Sequence, residues 1–199
     1  MSSNMTAIME MDPFVLTRST GAIVVPLLAI VALLLDIPCF AWHLKNRNLP
    51  ASCLVFWIIL ANLFNFINAL VWPTDDIPNW YQGQGYCDLE VKLDIAATFG
   101  IPAAVICVMK SLAQALNTDK IVLHPSASQR RRKIIIECLL CFGLPAYVIA
   151  IHYVVQPTRY YIFAIAGCTP SFDNSWPSIA LVYIWPMALC LVGGYYASE

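Results

Sequence analysis

Charge is what this chain has least of. Only 12% of its 199 residues are Asp, Glu, Lys or Arg, about half the share of an ordinary soluble domain. That excludes a water-soluble fold with a solvated shell around one core. Histidine is scarce too, with 3 copies. No HExxH pair, nucleophile motif or glycine-rich phosphate loop occurs. Nothing therefore points to catalysis, and no metal or cofactor is expected. Lys and Arg number 11 against 12 Asp and Glu, a formal net charge of −1. That balance identifies no partner, and nucleic acid is not expected to be one. Internal repeats and low-complexity segments are also absent.

What fills the chain is apolar. Five long stretches cover Gly21–Trp42, Ala51–Trp72, Cys87–Leu116, Ile134–Val155 and Ser178–Ala197. The second and fifth contain no charged residue. A helix needs about 20 apolar residues to cross a bilayer. Only helices and closed barrels satisfy their backbone polar groups in lipid. The expected fold is an all-α integral membrane bundle, one transmembrane domain over residues 1–199, with the lipid bilayer as its solvent.

Basic residues set the orientation. Lys45, Arg47, Lys110, Lys120, Arg130, Arg131, Arg132 and Lys133 fall on one side of the five crossings. Arg18 and Arg159 fall on the other, with Lys92 just inside the third stretch. The rich side is cytoplasmic by the positive-inside rule, so the N-terminus is expected outside. The run Arg130–Lys133 is first of all a topology signal. The first twenty residues lack the basic start and apolar run of a secretory leader. Asn4-Met5-Thr6 is a glycosylation triplet on the side assigned as outside.

Polar residues inside the stretches are few enough to weigh singly. Asp36 is costly in lipid and should face the bundle interior; a helix-packing hydrogen bond is its simplest role. Asn62, Asn65 and Asn68 repeat every three residues along one side of the second stretch. Amides there usually bond neighbouring helices, with a ligand contact by Asn68 the alternative. The third stretch opens with Asp88, Glu90, Lys92 and Asp94. Asp88 and Lys92 have the spacing of a favourable ion pair, and Glu90 and Asp94 that of a repulsive one. Two readings stand side by side: a water-filled mouth, or an interfacial helix end with snorkelling side chains. His152 reads as a polar interface residue, and Gly143 and Pro145 suggest a kink in the fourth stretch.

Of the 8 cysteines, only Cys87 and Cys168 lie in outward-facing segments. An oxidising exterior makes their pairing the default. Cys39, Cys53, Cys107, Cys138, Cys141 and Cys190 read as small hydrophobes. The CxxC spacing of Cys138 and Cys141 sits inside a membrane stretch and carries no metal or redox reading.

The sequence resembles the fungal lipopeptide mating-pheromone receptors of the a-factor type, a class of G-protein-coupled receptor. The resemblance is carried in order by Trp42-His43-Leu44-Lys45-Asn46-Arg47-Asn48-Leu49-Pro50, Asn62–Trp72, Trp80, Gly85-Tyr86-Cys87-Asp88, Gly100-Ile101-Pro102, Arg159-Tyr160 and Gly167-Cys168. It implies a seven-transmembrane bundle of which five helices are present here. It implies a plasma-membrane receptor for a prenylated peptide pheromone, acting through a heterotrimeric G protein. Asn68, Glu90, Lys92 and Asp94 would then meet the ligand. Lys110, Arg130, Arg131, Arg132 and Lys133 would face the G protein. Family members usually carry paired basic residues where Met109-Lys110-Ser111 keeps one, which puts coupling strength in question. A multi-pass transporter fragment and a truncated, non-signalling receptor isoform are the alternatives.

Overall fold

The computed structural model describes residues 13–74, 77, 80–116, 126–173, 176–179, 182 and 184–198, with side chains described from residue 20 onward except at 177 and 198. Asn4 and Lys120 lie outside that set, as does the side chain of Arg18. Among the described residues, four helices are long and apolar enough to span a membrane. They are α1 (Pro13–Lys45), α2 (Leu49–Val71), α3 (Tyr86–Leu116) and α4 (Ala127–Val155). A shorter apolar helix, α5 (Ile184–Ser198), follows. Residues 180, 181 and 183 are not described, so the fifth apolar stretch is followed as one helix only from Ile184. α1 and α4 run beyond the apolar stretches read from sequence. The apolar run marks the lipid-facing length, whereas a helix continues wherever water or headgroups solvate its charges.

α1 turns into α2 through a Schellman motif. The Asn48 N–H reaches the His43 carbonyl at 3.0 Å and the Arg47 N–H the Leu44 carbonyl at 3.0 Å. Arg47 takes the left-handed conformation, φ 53°, that such a cap requires. Asn48 then caps α2 through its side chain, and Pro50 fits the first turn, where its missing N–H leaves no helix bond unmade. Asn62 Nδ2 donates to Asp36 Oδ2 at 3.2 Å, the α1–α2 hydrogen bond expected of that carboxylate.

α3 is the centre. It packs against α2, α4 and α5, and Ala96, Ala97, Gly100, Ala103 and Ala104 are buried along it. Small residues let membrane helices approach closely, where van der Waals packing supplies the attraction. Gly100 is the tightest point: a Cβ there would run into the indole of Trp57. Gly100→Ala should therefore lower stability by about 1–3 kcal/mol, read as thermal unfolding in detergent. An unchanged midpoint would show that Trp57 can move aside.

α4 starts with a capping box. Ser126 Oγ accepts from the Gln129 N–H at 3.3 Å, and Gln129 Oε1 accepts from the Ser126 N–H at 3.0 Å. Arg130–Lys133 follow in the first turns and are exposed. Cations near a helix N-terminus oppose its dipole, so this run is not there to stabilise the helix. Lys133 reaches Glu137 at 3.7 Å. Midway, Leu139–Gly143 widens into a π-turn. Pro145 explains it, because its ring crowds the Cys141 carbonyl and it has no N–H to offer that oxygen. The freed carbonyl accepts instead from Trp57 Nε1 at 3.3 Å and the Cys53 thiol at 3.6 Å. The kink read from Gly143 and Pro145 is thus a π-turn pinned by the α2 indole.

Beyond α4, β1 (Tyr161–Phe163) and β2 (Gly167–Thr169) form an antiparallel hairpin with Ile162 opposite Cys168. Its tip is held by the Ile165 N–H, which donates to the Trp72 carbonyl at 2.7 Å. Ile165 has φ 65°, a conformation costly for a β-branched residue. The bond to α2 helps fix it there.

Candidate functional site

The hairpin lies over the ends of α2 and α3, and a disulfide joins Cys87 at the top of α3 to Cys168 in β2. Both sulfurs are buried. The bridge spans 81 residues of sequence, with the Cα atoms 5.3 Å apart. Trp72, wholly buried, fills the space beneath, and its Nε1 donates to the Tyr81 carbonyl at 3.0 Å.

Under this cover sits a polar network centred on Asn68, which is 1% exposed. Its Nδ2 donates to Glu90 Oε1 and, at 3.0 Å, to the Ala166 carbonyl of the hairpin turn. Its Oδ1 accepts from the Tyr86 hydroxyl at 3.0 Å. One amide thereby joins α2, α3 and the hairpin. Gly167 permits the approach: it has φ +76°, and a Cβ there would overlap the Asn68 amide. Glu90 and Asp94 share one face of α3, and with Asn65 and Asn68 they line a cavity of about 210 Å³ whose other walls include Leu60 and Phe64.

Lys92 is elsewhere. Its Nζ donates to His152 Nδ1 at 2.9 Å and to Gln156 Oε1 at 2.7 Å, both on or just beyond α4, and lies 5.6 Å from the centre of the Tyr153 ring. His152 is fully buried, not interfacial. Because Lys92 donates to Nδ1, the proton sits on Nε2, which donates to the Ser171 carbonyl at 3.1 Å. The imidazole also meets Phe172 edge-on at 5.0 Å. This second network ties the loop after the hairpin to α3 and α4. The Asp88–Lys92 pair expected from spacing is replaced: Asp88 Oδ2 meets Arg159 Nη2 at 2.6 Å. Two neutral acceptors, the buried His152 and the half-buried Gln156, hold Lys92, which leaves the outward carboxylate to the exposed Arg159.

The residues read from sequence therefore separate into two outer groups and one inner group. Asn68, Glu90 and Asp94 come together, and Lys92 faces the opposite side of α3. Lys110, half-buried, lies at the other end of α3 with its Nζ 6.0 Å from the Tyr196 ring, and Arg130, Arg131, Arg132 and Lys133 stand at that same end. Sequence reasoning missed Tyr86, Ser171 and the role of His152. Tyr86 was legible as the residue one turn before Glu90 on the same face. Ser171 contributes through its backbone, for which no side-chain pattern exists.

A second cavity, apolar and of about 240 Å³, opens between α3, the loop after β2 and the approach to α5. Ile95, Phe99, Phe172, Val182 and Pro186 line it.

Comparison with known proteins places these features in a family. The model of the pheromone A receptor family (STE3) matches residues 24–198. The chain is 30% identical over 171 residues to the pheromone a factor receptor of Saccharomyces cerevisiae, covering 86% of this chain and 36% of that protein. It is 32% identical over 177 residues to pheromone receptor 1 of Mycosarcoma maydis, covering 88% and 48%. It is 28% identical over 173 residues to the pheromone M-factor receptor of Schizosaccharomyces pombe, covering 86% and 46%. The chain thus spans between about a third and a half of the length of these relatives.

Proposed function

The chain belongs to the pheromone A receptor family, and on that premise we propose that it serves as a G-protein-coupled receptor for a prenylated peptide pheromone in the plasma membrane. The observation that carries this reading is the disulfide-held hairpin over a polar cavity at one end of α3, with the basic cluster at the other. The disulfide end is the exterior and the basic end the cytoplasm. A peptide would meet Glu90, Asp94 and Asn68 from outside. Its prenyl chain, contributing about 0.8 kcal/mol per buried CH₂, would draw it to the bilayer, and the apolar cavity beside Phe99 and Phe172 suits such a chain.

Glu90→Gln and Asp94→Asn test the reading. In surface-level-corrected dose–response curves, both should change the ranking of prenylated peptides that differ in charged residues. An unchanged ranking with both would leave Glu90 and Asp94 a structural role alone.

On the inner side, Lys110 and the Arg130–Lys133 run would face the G protein. Lys110→Ala should weaken signalling several-fold without altering surface level or peptide affinity. It probes this better than loss of the arginines, which also set topology. Normal signalling at every dose would make Lys110 an anchor at the lipid interface.

A further inference from the structure

We infer that the cavity at Glu90 and Asp94 is a site for an organic cation, an alkylammonium or guanidinium group. The inference deepens the receptor reading and rests on it for what delivers the cation: a basic side chain or amino group of the peptide ligand.

Glu90 is 3% exposed. Its Oε1 is taken by Asn68, while its Oε2 is buried and makes no well-formed hydrogen bond, with the Cys168 backbone beside the carboxyl. A buried acceptor left unpaired costs free energy that the fold alone does not return. Asp94, one turn along the same face, is exposed and lines the same cavity. No lysine, arginine or histidine is among the described lining residues. The nearest basic group by sequence, Lys92, is committed to His152 and Gln156 across the helix. Among the described residues, two acidic side chains therefore share a cavity without a counter-charge.

The walls choose among cations. Leu60, Phe64 and Leu93 line the cavity beside the two acids. An inorganic divalent ion demands oxygen ligands on all sides and gains nothing from such walls. An alkylammonium lays its methylenes on apolar surface and presents its head to the acid. The cavity, about 210 Å³, is several times the roughly 30 Å³ share of one liquid water. Weak intrinsic affinity suffices, because a lipid-anchored ligand presents the group at about millimolar effective concentration.

The test uses the purified chain in detergent and n-butylammonium chloride as probe. Unfolding is read by a thiol-reactive dye at the buried cysteines 53, 107 and 141. Wild type should show a saturable midpoint rise of about 2–4 °C at several times the Kd. Sodium chloride at equal ionic strength and butan-1-ol should not reproduce it. Glu90→Gln, which keeps the acceptor for Asn68, should abolish the rise. Asp94→Asn, at an exposed position, should reduce it, and it serves alone if Glu90→Gln does not fold. Equal shifts in wild type and variants, or no excess over sodium, would overturn the inference and leave a hydrated cavity. The receptor reading fails separately, if cells respond to no prenylated peptide while the butylammonium shift persists.

Discussion

Asn68→Leu should be among the most damaging single changes in the protein, costing about 3–5 kcal/mol. It leaves the Glu90 carboxylate without its donor, the Ala166 carbonyl without its amide and the Tyr86 hydroxyl without its acceptor. A polar group stranded in a buried place costs about 1–3 kcal/mol; Glu90 is buried and bears most of this, while the part-buried Ala166 carbonyl and Tyr86 hydroxyl add less. Losses above 4 kcal/mol are exceptional and signal such a broken network. The decisive arm is a double-mutant cycle. Removing both partners together, Asn68→Leu with Glu90→Leu, should recover a large part of the loss, since an apolar pair strands fewer groups than a lone acid. Thermal unfolding in detergent and surface level in cells read the cycle. Additive losses would mean that the two side chains contribute independently and that the network is not the unit proposed.

The second large effect is expected at the disulfide. Cys87→Ser or Cys168→Ser should cost about 2–5 kcal/mol, the range for native bridges in small secreted domains. The loss should fall on the hairpin and on the Asn68 network beneath it, because Ala166 reaches Asn68 from the turn that the bridge holds in place. The double variant should be no worse than either single one. Peptide mass mapping without reduction should find the linked pair in surface-delivered protein. Finding both thiols free there, in protein that still responds normally, would show that the bridge is not part of the working protein.

Much of this was legible in the sequence for reasons of period and compartment. Membrane-length apolar runs place the helices because lipid admits no other open backbone. Cys87 and Cys168 were identified because the other cysteines lie in apolar stretches or near inner ends. Asp36 found a neighbouring amide, Asn62, as an acid within lipid must. The π-turn was visible only as a kink, since Pro145 announces a missing N–H without saying which side chain will answer. Trp57 answers from 84 residues away. Lys92 was misplaced for a related reason. Spacing along one helix offered Asp88, but helix spacing says nothing about acceptors on a neighbouring helix, and His152 and Gln156 outcompete it. His152 itself looked interfacial because it lies near the outer end of its stretch. The loop that folds back over it, with the Ser171 carbonyl and the Phe172 ring, makes that position interior.

The function proposed for this chain is to convert binding of a prenylated peptide into G-protein activation. Guanine-nucleotide exchange on the G protein, measured in membranes bearing the receptor, tests it most directly. Synthetic peptides with and without a C-terminal farnesyl cysteine methyl ester would be compared across doses. Saturable, receptor-dependent exchange is expected with the prenylated peptide, strongly reduced potency without the prenyl group, and a loss of response in Cys168→Ser. Exchange that is the same with and without receptor, at every dose of every prenylated peptide, would contradict it.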